Sequence, residues 1–252
     1  MGLTVALETA TSSCSVSVAG PDGVVLADIV APTGPAHTGR LLPDLHHAVR
    51  MASGAPSDIE TVVVGLGPGT FTGLRIGVAT ARALAQAAGA RLIGVPSLNA
   101  LGWRLAEADA GRCVERFVAL IDGKRSEVFA AAFHRDAVSA GPETEDGTPT
   151  PPLVVSDPLS VVGADDLERY LAGHPGAAVG GDGAHLYADR LPEGVFLSDL
   201  VRAPTASMLL RAWSGGAPGV VEGPDAVVPV YGRRPDAARW TARDGAGAAG
   251  AS

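Results

Sequence analysis

Cysteine and aromatic residues are scarce: two cysteines in 252 residues, and 4% Phe, Trp and Tyr together. Cys14 and Cys113 form no C-x-x-C pair and no disulfide framework, so a reducing cytoplasm is the expected compartment. Charge is also modest, at 18% of residues with a net −8. That excludes a chain that grips nucleic acid alone through a general basic surface, though not one that serves in a complex which does. No basic run interleaves with aromatics. No apolar run is long enough to span a bilayer, and Met1-Gly2-Leu3-Thr4 enters a strand without a basic leader. The six histidines (His37, His46, His47, His134, His174, His185) contain no H-x-x-x-H or H-E-x-x-H pair. His46 and His47 are adjacent and point apart on a helix, so they read as surface or satisfied histidines. Ser12, Ser13 and Cys14 lie in no G-x-S-x-G elbow. What remains is 46% hydrophobic residues, 33 glycines and 19 prolines, the composition of a globular chain with a sizeable core.

Residues 4–9 read as a buried strand and 14–19 as a half-buried one. Pro21-Asp22-Gly23 is a turn into a third strand over 24–30. A helical stripe follows over 37–52, with Pro43 assigned to its first turn. Strand 61–66, helix 73–88, strand 91–95 and helix 97–108 complete the order β-β-β-α-β-α-β-α. That is the ribonuclease-H-like order of the actin, sugar-kinase and Hsp70 domains, whose members pair two such units around a ligand. The predicted fold is therefore α/β, actin-like (ASKHA), with two ribonuclease-H-like subdomains. The second is short: a strand over 116–122, a hairpin turn at 123–126 and a return over 127–133. An exposed loop over 134–152 follows, then strand 153–156, helix 164–172, strand 177–180 and a helix from Ala184. Residues 204–214 are a helix expected to pack back on the first subdomain. The expected division is 1–112 plus about 203–235, then 113–202, with 236–252 a disordered tail.

The chain is organised around Val62 to Gly89. An apolar strand breaks into Gly65-Leu66-Gly67-Pro68-Gly69-Thr70-Phe71-Thr72-Gly73 and then becomes a helix. Such a loop can aim N–H groups at an anion. The fingerprints fail in detail, however. Leu74-Arg75 stands where a P-loop needs Lys and Ser/Thr, and Thr70 or Thr72 where a dinucleotide loop needs its third glycine. A tight structural turn outweighs a phosphate cradle. In the helix, Gly73, Gly77, Ala81, Ala85 and Gly89 recur every four residues, a stripe that admits close packing by a helix or a sheet. With Arg75 and Arg82 a heptad apart, and Leu41 and Leu45 on the preceding helix, this marks a partner surface. Phe71, Leu74 and Val78 are assigned to it as well.

Two further turns can take a nucleotide. Glu8-Thr9-Ala10-Thr11 ends the first strand, where kinase-like relatives of this fold carry an acid, a glycine and hydroxyls. Gly180-Gly181-Asp182-Gly183 precedes a helix, and its structural and functional readings weigh about evenly.

ALETATSSCSVSVAG, VGLGPGTFTGLRIGVATARALA, GVPSLNAL and IDGKRSEVFAAAF closely resemble the TsaB (YeaZ) family over about residues 3–235. The resemblance implies a subunit of the bacterial machinery that makes threonylcarbamoyladenosine at adenosine 37 of tRNAs reading ANN codons. It implies a non-catalytic scaffold that pairs with the catalytic paralogue TsaD, works with the ATPase TsaE, and reaches tRNA indirectly, with TsaC supplying the activated adenylate. A homodimer is the alternative state. ATP and metal would be held by the partners, with no cofactor of its own. Laid on the paralogue's metal-binding helix, the two ligand positions become Ser97 and Leu101. The competing readings are an actin-like nucleotide hydrolase or phosphotransferase using Glu8, and a metallopeptidase.

Overall fold

The computed structural model describes residues 2–32, 37–108, 114–136 and 153–233. Most of the loop expected over 134–152 and the tail over 236–252 lie outside the described residues.

The first half opens with β1 (Leu3–Glu8), β2 (Ser13–Ala19) and β3 (Val25–Pro32), an antiparallel meander. Next come α1 (His37–Met51), β4 (Ile59–Gly65), α2 (Phe71–Ala88), β5 (Arg91–Val95) and α3 (Ser97–Ala108). β4 lies parallel to β1, and β5 parallel to β4. The second half repeats the plan. β6 (Arg116–Lys124), β7 (Glu127–Arg135) and β8 (Leu153–Gly163) form a meander, followed by α4 (Leu167–Ala172), β9 (Ala178–Gly180), α5 (Asp182–Leu186) and β10 (Phe196–Leu197). α6 (Ala206–Ser214) and β11 (Val221–Glu222) return to the first half. The sheets run β11-β5-β4-β1-β2-β3 and β10-β9-β6-β7-β8. Apart from β11 the orders are identical once numbered within each half, so each half is a ribonuclease-H-like sheet with β1 or β6 at its centre.

Several boundaries differ from the sequence reading. β8 runs to Gly163 rather than 156, because it pairs along the whole of β7. α2 begins at Phe71 and α5 at Asp182, each two residues early. The two-residue strands β10 and β11 carry too little pattern to read. Pro43 sits in the second turn of α1, not the first. It is exposed there, so water can take the carbonyl that loses its partner.

Three apolar layers hold the molecule. On the outer face of the first sheet, Leu41, Leu45, Ala48 and Val49 of α1 and Val78, Ala81 and Ala85 of α2 meet Val5, Leu7, Val62 and Val64. On the outer face of the second, Leu167 and Leu171 meet Val118, Leu120 and Val179. Between the sheets lie α3 and α6, where Leu98, Leu101, Trp103 and Leu209 pack on Ala6, Val63, Phe117, Ile121 and Phe133. The middle layer is common to both halves, so the cleft between them closes over a core. Among the described residues no helix is long and apolar enough to cross a membrane.

Candidate functional site

The glycine loop meets the turn between β1 and β2, and the two fill each other. A Cβ on Gly69 would overlap the Ala10 carbonyl oxygen, and one on Gly73 would overlap that of Thr9. Only glycine allows this approach. The Thr70 N–H donates to the Ala10 carbonyl at 2.7 Å, and the Thr9 hydroxyl donates to the Gly73 carbonyl at 2.8 Å. The Leu66 N–H goes to Val95 O at 2.9 Å, and the Gly67 N–H to Ser97 Oγ at 3.2 Å. Pro68 has no N–H to give, and Thr72 stands exposed at the start of α2. The Leu66, Gly67 and Thr70 donors of the loop are thus spent on protein oxygens. Thr9 and Thr11, expected as phosphate donors, are buried under the same contact.

Glu8 is buried beneath this joint. Its Oε2 accepts from the Ser97 hydroxyl at 2.7 Å and its Oε1 from the Ala10 N–H at 2.7 Å. Burial pushes its carboxyl above the usual range; the hydrogen bonds from Ser97, Ala10 and Thr9 pull the other way, and nearby Asp182 adds to the rise. Ser97, at one of the two aligned ligand positions, thus spends its hydroxyl on Glu8 and Gly67. Leu101, at the other, is fully buried in the middle core. Among the described residues no three His, Cys, Asp or Glu side chains converge as a metal site.

The third candidate turn is packed in the same manner. Gly181 and Gly183 are buried against the backbone of β6, and Asp182 Oδ1 accepts from the Asp122 N–H at 3.1 Å. Burial first, and the Asp122 charge among the other contributions, raises the Asp182 carboxyl to about 6. Lys124 Nζ bonds Asp122 Oδ2 at 2.5 Å. Glu8 and Asp182 therefore come near each other across the cleft, but each is occupied by its own half.

The helical surface needs a larger correction. Gly73, Leu74, Gly77, Val78 and Ala81 are all buried against this chain's own sheet, as are Leu41 and Leu45 of α1. The small-residue stripe is the inward face of α2, and Gly77 lies where a Cβ would overlap the Thr9 hydroxyl. Gly89 is not part of the stripe: at φ +65° it ends the helix, donating its N–H to Ala85 O. Of the expected interface residues, Phe71, Arg75 and Arg82 are exposed. The two arginines are not bare. Arg82 donates to the carbonyls of Pro224 at 2.5 Å and Val227 at 2.8 Å. The Arg75 guanidinium stacks on the Phe71 ring at 3.7 Å and donates to the Tyr231 hydroxyl at 3.2 Å. Leu42, 59% exposed, and Ala79 also lie on the outward face of α1 and α2.

One feature was missed from the sequence. A cavity of about 460 Å³ lies between the start of α2 (Gly69, Thr70, Phe71), the β6–β7 hairpin (Gly123, Lys124, Arg125), Phe129, and Tyr231 to Arg233. Thr70 Oγ1 is buried there with no hydrogen-bond partner among the described residues. Its wall joins residues more than 160 positions apart, and the signal available was the cluster of Lys124, Arg125 and Arg233 beside three aromatics.

The duplicated sheets around a shared helical layer, with mutually filled loops at the cleft, define an actin-like α/β protein of two ribonuclease-H-like halves. The family model described as "TsaD: tRNA N6-adenosine threonylcarbamoyltransferase" matches residues 27–146. An uncharacterized protein of Mycobacterium leprae is 33% identical over 245 residues, covering 96% of this chain and 58% of that protein. The Escherichia coli "tRNA threonylcarbamoyladenosine biosynthesis protein TsaB" is 36% identical over 146 residues, covering 56% of this chain and 59% of the relative. The chain thus spans less than three-fifths of either curated relative, at 58% and 59%. The solved structure of YeaZ from Pseudomonas aeruginosa superposes with a TM-score of 0.67 at 27% identity, covering 92% of this chain and 100% of that one. The chain is thus a homologue of the TsaB (YeaZ) proteins.

Proposed function

We propose that this chain acts in the cytoplasm in forming threonylcarbamoyladenosine at adenosine 37 of tRNAs reading ANN codons. It does so as a non-catalytic scaffold that pairs with and activates a TsaD-type catalytic paralogue. The name of the Escherichia coli relative supports the pathway. The observation that carries the non-catalytic part is the mutual filling of the cleft loops: the donors of Leu66, Gly67 and Thr70, the Ser97 hydroxyl and the Glu8 carboxyl all serve the chain's own fold. TsaE and tRNA are reached through the complex, and ATP and metal are held by the partner subunits.

The partner surface in this reading is the outward face of α1 and α2, carrying Leu42, Phe71 and Ala79. Exposed large apolar side chains on adjacent helices suit a helix-to-helix contact. A second copy of the chain could occupy the same face when the paralogue is absent.

Co-expression with the paralogue from the same genome, with nucleoside analysis of tRNA, tests this. The modification should require both chains, and they should co-purify. Calorimetric titration of the isolated chain with ATP and Mg²⁺ tests the competing enzyme reading. Sub-millimolar binding with turnover by this chain alone would overturn the scaffold role.

A further inference from the structure

Residues 223–233 follow β11 without forming a helix or strand, and run along α2 to the hairpin of the second half. Their two ends are held differently. At the near end the Val227 side chain is fully buried and its carbonyl takes two bonds from Arg82, at 2.8 and 3.2 Å. The Val230 N–H then donates to Leu66 O at 2.8 Å. At the far end Tyr231 is exposed, its ring 5.0 Å from that of Phe71 and its hydroxyl accepting from Arg75. Gly232 lies against Phe129 so closely that a Cβ would overlap the ring. Arg233 donates to Lys124 O at 3.0 Å and pairs with the half-exposed Glu127 carboxylate.

The contrast is energetic. A buried valine is worth roughly 1.5–3 kcal/mol, whereas an ion pair that still reaches solvent contributes roughly 0–1 kcal/mol and is screened by salt. Segments with few buried apolar contacts open first. Tyr231, Gly232 and Arg233 also supply three of the ten residues that line the cavity.

We propose that residues 231–233 are a latch over the cavity at the start of α2, pivoting at 228–230 on Val227 as a fixed post. Closed, it bridges α2 of the first half to the hairpin of the second. Open, it uncovers Phe129, frees the Glu127 carboxylate and the Lys124 carbonyl, and turns the cavity into a groove leading to the buried Thr70 hydroxyl. The charged groups facing it are Arg75, Lys124, Arg125 and Glu127. The latch is independent of the pathway assigned above, because it concerns this chain alone.

Hydrogen exchange on the full chain, read by mass spectrometry, tests it. Arg233→Ala and Glu127→Gln remove the ion pair from the surface, and Gly232→Val forbids closure by clashing with Phe129. The two ion-pair variants should raise exchange at residues 230–233 by up to about fivefold, and Gly232→Val by more, while Val227 and the middle of α2 keep their protection. Raising the ionic strength should act in the same direction as Arg233→Ala. Unchanged exchange in Arg233→Ala and Glu127→Gln would overturn the latch. Loss of protection that spreads through Val227 into α2 would overturn it too, because the segment would then be an integral part of the first half. The two surface variants keep the test decisive if Gly232→Val fails to fold.

Discussion

The Glu8 and Asp182 carboxyls are both buried and both raised. A raised folded value means that the folded chain holds the proton more tightly than the unfolded one. For Asp182 the contribution is fully present below 3.8 and is lost as pH rises through about 6. The rise from 3.8 to about 6 corresponds to at most about 3 kcal/mol of stability lost across that window. Glu8 acts in the same direction. Asp182→Asn keeps the acceptor for the Asp122 N–H but cannot ionise. Urea denaturation from about pH 4 to about pH 7 should show a shallower loss of stability in this variant than in the parent. An unaltered slope would mean that other groups carry it. Gly77 offers a second test at this scale. Alanine gains about 1 kcal/mol of helix propensity, but its Cβ meets the Thr9 hydroxyl, where overpacking costs about 1–3 kcal/mol and the bond to Gly73 is strained. Gly77→Ala should therefore lower the urea midpoint. Sequence reading correctly saw that small residues at this spacing mean close packing. It could not see against what, because a helix stripe of glycine and alanine fits a sheet as well as a partner helix.

Among the elements, α2 and α6 show how local signals divide between one chain and its surroundings. The start of α6 was legible from Pro204 and Thr205, yet its first N–H is capped from afar. The Ala206 N–H donates to Ser15 Oγ of β2 at 2.7 Å, in a buried position. Ser15→Ala leaves that donor without a partner and should cost about 1–3 kcal/mol, read as a lowered thermal midpoint. No local pattern announces such a cap, because the acceptor lies 191 residues away. Arg75 and Arg82 were legible as a pair on one face of α2. Their carbonyl and hydroxyl partners come from 224–231, a segment whose sequence has neither helical nor strand period.

At the scale of the molecule, the order β-β-β-α-β-α-β-α appears twice and the two sheets share one helical layer. That leaves α1 and α2 with one face on their own sheet and one face outward. Placing a charge on the outward face, as Leu42→Glu or Ala79→Glu, should abolish co-purification with the paralogue. Stability should change by no more than about 0.5 kcal/mol, as for surface substitutions in general. Retained pairing in well-folded variants would move the partner surface elsewhere.

The sequence by itself determined the order and type of all but the shortest elements, since hydrophobic period and turn residues are local. It also determined that the glycine loop lacks a phosphate-binding lysine, and it carried the family resemblance. Only the tertiary structure decided which way each face points. It turned the small-residue stripe inward, closed Glu8 under Ser97, filled one candidate anion turn with the other, and brought Tyr231 and Arg233 to the start of α2. Those outcomes depend on contacts between residues far apart in the chain, and close approach of two backbones leaves the same glycines in a sequence whether the neighbour is a ligand, a partner or the chain itself.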